Sequence, residues 1–165
     1  MSLSDILAGN TINADDMFDI VGIRVRKTTN GTAFPSTTTM ANETGMSVAV
    51  EAGLTYDFDA AIVYEAGTVA DIKLGWTFPS ASFYYTAASV STAGAYLPIV
   101  SAAEASGTAK SFGGVGIGSP TCIVYTGFIV VTAAGSIQLQ RAQNTSTAEN
   151  TRINAGSWIR INEKL

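Results

Sequence analysis

The chain has 165 residues, of which only 13% are charged, and its net charge is −4. An average globular domain carries about 25% charged residues, so this surface suits a protein that packs against copies of itself or inside a larger assembly. A nucleic-acid groove needs clustered Lys and Arg, so nucleic acid is not expected as a partner. The absence of histidine excludes Ser-His-Asp and Cys-His catalysis and imidazole zinc ligands.

Residues 1–21 are predicted to form an N-terminal arm, and residues 22–165 a single domain. The arm carries Asp15, Asp16 and Asp19 and contains no basic residue. A disordered, solvated tail is the alternative, but a disordered tail would leave its apolar side chains without a use. We therefore expect the arm to bind a neighbouring molecule through Leu3, Ile6, Leu7, Ile12, Met17 and Phe18.

The beginning of the chain shows no targeting segment. It lacks the basic start and the long apolar run of a signal peptide. No apolar stretch approaches the roughly 18 residues of a membrane span. The protein is therefore expected to be made in the cytosol and to have no membrane partner.

Alternating apolar and polar residues predict strands in the first half of the chain. In residues 54–64, Tyr56 and Phe58 fall on one face of such a strand, and Asp57 and Asp59 fall on the other. The same period of two predicts further strands at 22–28, 46–50 and 72–78.

Turns rich in glycine and threonine separate the elements of the second half. Residues 87–94 and 101–110 are predicted as loops, because they are small and polar or weakly patterned. Strands are predicted at 83–85, 96–100, 121–131, 136–144 and 158–161. About eight strands with almost no helix predict an all-β fold, an antiparallel β-sandwich or a jelly roll.

Three aspartates are the candidates for metal binding or acid–base chemistry. Asp57 and Asp59 share one face of a strand, and Asp71 is expected on the hairpin partner of that strand. Clustered carboxylates can bind calcium or act as an acid and base pair, but they more often form the solvated face of a strand. We therefore predict no metal, no cofactor and no enzymatic activity.

Cys122 and a glycine-rich run are the other chemical candidates. Cys122 lies in an apolar run and is predicted to be a small buried hydrophobic residue; a reactive thiol, the alternative, would lack a histidine to activate it. Gly113, Gly114, Gly116 and Gly118 lack the Gly-Lys-Ser/Thr ending of a phosphate loop. They are predicted to allow positive φ angles in a bent loop.

Aromatic residues flank the predicted 87–94 loop. Tyr84, Tyr85 and Tyr96 are expected to pack beneath it, and the alternative is that they stack on a sugar or anchor a protein partner. Core positions are predicted for Trp76 and Trp158.

Two segments near the end of the chain form a recognisable pattern. Residues 139–146 read Leu-Gln-Arg-Ala-Gln-Asn-Thr-Ser, and residues 155–160 read Ala-Gly-Ser-Trp-Ile-Arg. These closing strands resemble those of a group of tailed-bacteriophage virion proteins. The middle of the chain is similar as well, from Met46-Ser-Val-Ala-Val50 to the stop at Pro79. Altogether the resemblance covers about residues 22–162.

The resemblance implies a jelly roll of the trimeric tumour-necrosis-factor and C1q kind, with no catalytic residues. Such domains occur in tail-fibre or minor tail proteins, usually as the C-terminal piece of a longer polypeptide, and in small capsid decoration proteins. Because the domain occupies nearly all of this chain, we expect a homotrimeric decoration, or cement, protein made in the host cytoplasm. It would bind the major capsid protein on the outside of the head; a tail-fibre tip that binds a host receptor is the alternative.

The strand at 121–131 is predicted to lie at the trimer axis, because both of its faces are apolar. A strand that is apolar on both faces is buried on both faces. We assign the trimer interface to Ile123, Tyr125, Ile129 and Val131, opposite Cys122, Val124, Phe128 and Val130.

Overall fold

The computed structural model describes residues 22–163, and this part of the chain contains eleven strands and no helix. The predicted arm lies outside the described residues. The strands are β1 (Ile23–Arg26), β2 (Ala41–Val50), β3 (Thr55–Ala66), β4 (Ile72–Thr77), β5 (Ala81–Val90), β6 (Tyr96–Glu104), β7 (Ala109–Phe112), β8 (Thr121–Val131), β9 (Gly135–Ala142), β10 (Thr151–Ile153) and β11 (Trp158–Glu163).

The strands form two antiparallel sheets that pack as a sandwich. The seven-stranded large sheet has the order β1-β11-β3-β8-β5-β6, with β10 also paired to β3. The four-stranded small sheet has the order β2-β9-β4-β7. Two packed sheets bury one face of each sheet, which explains the alternation of buried and exposed side chains along strands such as β3 and β8.

The strand pairing is that of a jelly roll. Strand β2 pairs with β9, β3 with β8, β4 with β7, and β5 with β6, all antiparallel. These nested pairs describe one long hairpin whose tip is the turn between β5 and β6 and whose arms are rolled into two sheets. The predicted all-β sandwich of the jelly-roll type is therefore confirmed.

The core lies between the two sheets and is built around edge-to-face aromatic contacts. The Phe58 ring lies 5.1 Å from Trp76 and 4.9 Å from Phe83, and Trp76 lies 5.3 Å from Tyr125. The prediction for Trp76 is confirmed, since this side chain is fully buried. Trp158 is not in the core: Ile159 and Ile161 are the inward residues of β11, so Trp158 faces outward, beneath the Arg24 guanidinium.

Four local predictions are wrong. The 87–94 segment is not an exposed loop, because β5 continues to Val90. The predicted 101–110 loop contains the end of β6 and the start of β7. Strands β3 and β4 do not form a hairpin, because they belong to different sheets. The short strand β10 lies in a segment predicted as loop. In the 101–110 and 151–153 segments, pairing with another strand overrides a weak local pattern.

Candidate functional site

The 139–146 part of the resemblance motif has a structural role through Gln143. Gln143 is fully buried, and its side-chain oxygen accepts hydrogen bonds from the backbone N–H groups of Thr37 (3.3 Å) and Thr147 (3.2 Å). Its amide nitrogen donates to the Glu149 carbonyl at 2.7 Å. Gln143 therefore holds the 143–150 loop closed by satisfying backbone groups that would otherwise be buried without partners.

The Ala-Gly-Ser part of the motif is structural as well. Gly156 turns the chain with a φ angle of 93°, a conformation that favours glycine. Ser157 is fully buried, and its hydroxyl accepts from the Val63 N–H at 2.9 Å and lies 2.8 Å from the Asn154 carbonyl. The Ala-Gly-Ser residues connect the start of β11 to β3 by hydrogen bonds. This part of the motif therefore has a role in the fold and does not indicate a ligand site.

The three candidate aspartates are not brought together. Asp57 is exposed on β3, and Asp59 is paired with Arg160 and accepts a hydrogen bond from Thr126 at 3.0 Å. Asp71 precedes β4 in the other sheet, where burial raises the pKa of its carboxyl group and Gly114 donates a 2.8 Å hydrogen bond to it. Among residues 22–163 there is no group of carboxylates, cysteines or histidines arranged to hold a metal.

The glycine-rich run at 113–118 is a tightly held loop. Gly116 and Gly118 have positive φ angles, as predicted. Gly113 and Gly114 are required for a different reason, since a Cβ atom there would collide with the Ser91 carbonyl and the Gly67 carbonyl. The loop exposes Val115 and Ile117 beside the 66–71 turn, because the Gly116 N–H donates to the Ala66 carbonyl.

The three tyrosines have three different environments. Tyr85 is in the core, and its hydroxyl is 3.1 Å from the Glu104 carboxylate. Tyr84 lies on the outside of the large sheet, stacked on Phe128 at 5.0 Å. Tyr96 is 74% exposed. Only Tyr85 is packed inside as expected, because β5 is a strand and its side chains alternate between the two faces.

The four residues predicted for the trimer interface lie in the core of the single chain. These side chains point from β8 toward the small sheet and are at most 2% exposed: Ile123, Tyr125, Ile129 and Val131. They have no surface to offer a partner, so the assignment of these residues has to be corrected. The trimer itself stays a prediction, and the apolar face that is free to form it is the opposite face of β8.

That opposite face is the centre of an apolar surface, which we call the outer sheet face. On β8, Val124 is 52% exposed, and Phe128 and Val130 are each 38% exposed. Strand pairing places Val124 between Ala61 and Ala88, Phe128 between Asp57 and Tyr84, and Val130 between Thr55 and Ser82. The outer sheet face consists of Ala61, Val63, Tyr84, Ala88, Val90, Cys122, Val124, Phe128 and Val130.

A polar band crosses the middle of the outer sheet face. Thr126 is paired with Asp59 on one side and Thr86 on the other. Its hydroxyl donates to Asp59, whose other carboxylate oxygen is 2.6 Å from Arg160. The Asp59 carboxylate is thus neutralised within the chain. On one side of the band Val124 lies between two alanines, and on the other side Phe128 lies between Tyr84 and the exposed Asp57. Directional polar groups inside an apolar surface favour one docking geometry over others.

Cys122 is exposed on the outer sheet face, so the prediction that it is buried is wrong. Its outward position follows from the alternation of β8, in which the neighbouring Ile123 takes the core position. Partial burial against the sheet raises the pKa of the thiol and lowers its thiolate fraction at neutral pH. The side chain is better suited to reporting contact at this surface than to nucleophilic chemistry.

The six apolar residues predicted to bind a neighbour, Leu3, Ile6, Leu7, Ile12, Met17 and Phe18, lie outside the described residues. Within the described part of the chain, no helix is long and apolar enough to cross a membrane.

Comparisons with known proteins do not assign the chain to a family. No protein-family model and no curated protein sequence matches it. Among solved structures, it is similar to the infectious bursal disease virus Gx strain (12% identity, 84% of this chain and 38% of that chain, TM-score 0.24). It is also similar to the Gt strain (9% identity, 86% of this chain and 42% of that chain, TM-score 0.21). The VP2 subviral particle of the same virus is a third similar structure (8% identity, 86% of this chain and 41% of that chain, TM-score 0.23). The chain spans less than half of these proteins, and TM-scores below 0.5 carry no argument about its function.

Proposed function

We propose that this protein is a structural component of a phage virion, a homotrimer that binds the major capsid protein on the outside of the head. The observation that carries the proposal is the apolar outer sheet face at the centre of the large sheet. A contiguous apolar surface on a folded domain marks a site of protein association. The resemblance of the closing strands to tailed-phage virion proteins supports the virion as the place of that association.

The outer sheet face supplies the apolar part of a subunit interface. Strands lie about 4.8 Å apart and rise about 3.3 Å per residue, so the three central strands cover about 500 Å². A standard interface buries roughly 800 Å² on each partner, so the contact would extend beyond these strands, onto exposed polar residues such as Arg160 of β11. We therefore expect an interface with an apolar centre and a polar rim.

A closed three-fold assembly covers this face with one repeated contact. In such a ring each copy presents one surface to one neighbour and a second surface to the other, and no apolar surface remains unpaired. Val124 and Phe128 on β8 would then lie near the axis. The N-terminal arm, residues 1–21, would provide the separate contact with the capsid, so that several weak arm contacts per trimer add up to firm binding.

The test of location is the copy number of the protein in purified virions, measured by quantitative mass spectrometry against the major capsid protein. We expect the copy number of this protein to be comparable with that of the major capsid protein. A few copies per particle would instead indicate a tail protein, and absence from the virion would refute the proposal.

The test of assembly uses Cys122 as a reporter. We expect the purified protein to have three times the 17.1 kDa chain mass by light scattering, and Cys122 to react slowly with a thiol reagent until the trimer dissociates. A monomer with a rapidly labelled Cys122 would contradict the assigned interface, and a dimer would contradict the three-fold assembly.

A tail-tip protein that binds a host receptor is the second candidate, and one surface favours it. Backbone hydrogen bonds join the 66–71 turn, the end of β5 and the 113–119 loop at one end of the sandwich. Exposed apolar residues lie on these segments and beside them: Val69, Tyr96, Val115 and Ile117. Loops presented by a rigid scaffold often carry binding residues. A glycan array probed with the purified protein tests this candidate, and saturable binding abolished by Tyr96→Ala would support it.

A further inference from the structure

A polar pocket of about 250 Å³ lies where β1 ends, away from the outer sheet face. It is formed by the segment that follows β1, by the first half of β2 and by the end of β9. It is lined by Lys27, Thr29, Asn30, Gly31, Thr32, Glu43, Thr44 and Arg141. We call it the Lys27–Arg141 pocket.

The charges in this pocket do not balance. The Lys27 ammonium is 2.7 Å from one oxygen of the Glu43 carboxylate, and the Arg141 Nε is 2.8 Å from the other. Two cations therefore share one anion, which leaves one positive charge in excess. The side chains of Lys27, Glu43 and Arg141 are 8%, 3% and 17% exposed, so these charges are only partly accessible to solvent. Buried charge without a counter-charge is costly, and an anion at the pocket would relieve that cost.

Hydrogen-bond donors remain available for such an anion. Each oxygen of Glu43 is already engaged by one cation. Within residues 22–163, the Arg141 guanidinium has Glu43 as its only hydrogen-bond acceptor, and it uses Nε for that bond. The two Nη groups of Arg141 are thus free to donate to a ligand. Lys27 donates to Glu43 and to the Thr44 carbonyl, and retains a third N–H.

The donors are held in place by packing. The Arg141 guanidinium lies 4.0 Å from the centre of the Phe34 ring, a cation–π contact that restricts its rotation. Gln138 donates to the Glu43 carbonyl at 2.9 Å. Gly31 approaches the Glu43 carboxylate closely, since a Cβ atom at this position would lie 2.8 Å from it. Donors that are ordered before binding lose little entropy when a ligand arrives.

We propose that the Lys27–Arg141 pocket binds a carboxylate group. The paired Nη groups of an arginine match the two oxygens of a planar carboxylate, and its single negative charge equals the excess charge of the pocket. Thr29, Thr32 and Thr44 line the same pocket, and a threonine hydroxyl can donate to a remaining lone pair of the ligand. This proposal does not depend on a virion location.

Two sources can supply the carboxylate. One is the chain's own arm, which carries Asp15, Asp16 and Asp19 and lies next to β1 in sequence. The other is an acidic side chain of a partner protein. The chemistry of binding is the same for both, so the pocket is tested with a small carboxylate, and the arm is tested by neutralising its aspartates.

The experiment is an acetate titration followed by ¹H–¹⁵N NMR of the full chain, observing the Arg141 Nε–H and the Gly31 amide. It is run on the natural sequence and on the triple variant Asp15→Asn, Asp16→Asn, Asp19→Asn. We expect a saturable shift of both signals with acetate and not with chloride at equal ionic strength. A larger response in the triple variant would show that the arm occupies the pocket; an equal response would assign the site to a partner.

The matched control is Arg141→Lys, which keeps the positive charge beside Glu43 and removes the Nη fork. We expect at least tenfold weaker acetate binding with an unchanged amide spectrum for the core residues Phe58 and Trp76. The proposal is overturned if neither the natural sequence nor the triple aspartate variant shows a saturable acetate response. It is also overturned if chloride produces the same shifts, or if Arg141→Lys binds acetate as well as the natural sequence.

Discussion

The two faces of β8 have similar apolar side chains and opposite environments. Ile123 and Ile129 face the small sheet and are fully buried, whereas Val124 and Phe128 face away from the sandwich and are substantially exposed. The difference comes from what lies opposite each face: the jelly roll places a second sheet against the inner one, while the described residues place nothing against the outer one. Apolar composition thus shows that a face requires cover, and topology decides whether the same chain supplies it.

The largest expected effect on the stability of the protomer comes from a charge on the inner face. In Ile129→Asp, a carboxylate would enter a core position without a partner, so we expect a loss of about 4 kcal/mol or more in the free energy of unfolding. Chemical denaturation measures this loss. The neighbouring Val130→Asp is the control, because that side chain is exposed; equal stability of the two variants would contradict the assignment of the faces.

A smaller effect is expected from a single methyl group on the inner face. Gly127 lies between Tyr125 and Ile129 on β8, and a Cβ atom there would collide with the Tyr84 carbonyl and approach the Tyr85 backbone at 2.7 Å. We expect Gly127→Ala to destabilise the protomer by about 1–3 kcal/mol through overpacking. Thr126→Ala, on the outer face, should change stability by about 0.5 kcal/mol or less. Thermal unfolding compares the stabilities of the two variants. If Gly127→Ala is as stable as the natural sequence, β8 and β5 can move apart enough to admit the methyl group.

A pH-dependent effect is expected from Glu65, the carboxylate at the end of β3. Hydrogen bonds from Asn154, together with Arg152 and the Gly118 N–H, hold the pKa of Glu65 below its ordinary value of 4.5. A lowered folded-state pKa stabilises the fold above 4.5, and that contribution disappears as the pH falls through the folded-state value. Denaturation midpoints measured between pH 7 and pH 3 should fall more steeply for the natural sequence than for Glu65→Gln; parallel curves would exclude this role.

A charge on the outer face is expected to have the smallest effect on the stability of the protomer. The same charge should have the largest effect on trimer formation. Val124→Asp should change the unfolding free energy of the protomer by about 1 kcal/mol or less, because the side chain is already half exposed. Light scattering should nevertheless show a monomer. Cys122 should become faster to label, although the added negative charge raises the thiol pKa and on its own would slow labelling.

The matched control for this assembly prediction is Ala49→Asp. This variant places the same charge on an exposed position of β2, on the outside of the small sheet. It should remain a trimer with a protected Cys122. If both variants dissociate, the loss of assembly is a general effect of charge rather than a property of the outer sheet face.

The sequence by itself determined the strands with a strong period of two and, through their number, the sandwich. Residues 54–64 are an example, because the apolar positions that alternate with Asp57 and Asp59 are the ones that the core buries. Their burial depends on local geometry, since successive side chains of any strand point to opposite faces. The spacing of strands and turns indicated a sandwich or a jelly roll, and the jelly-roll type followed from the resemblance of the closing strands.

Only the tertiary structure decided which faces are covered and which distant residues meet. Local pattern could not separate Ile123 from Val124, could not place Cys122 or Trp158 outside, and could not bring Lys27, Glu43 and Arg141 into one pocket. Each of these outcomes depends on pairing between strands far apart in the chain, such as β2 with β9 and β3 with β8. The physical reason is that periodicity records what one strand requires on each side, whereas the fold determines which strand, if any, is there to provide it.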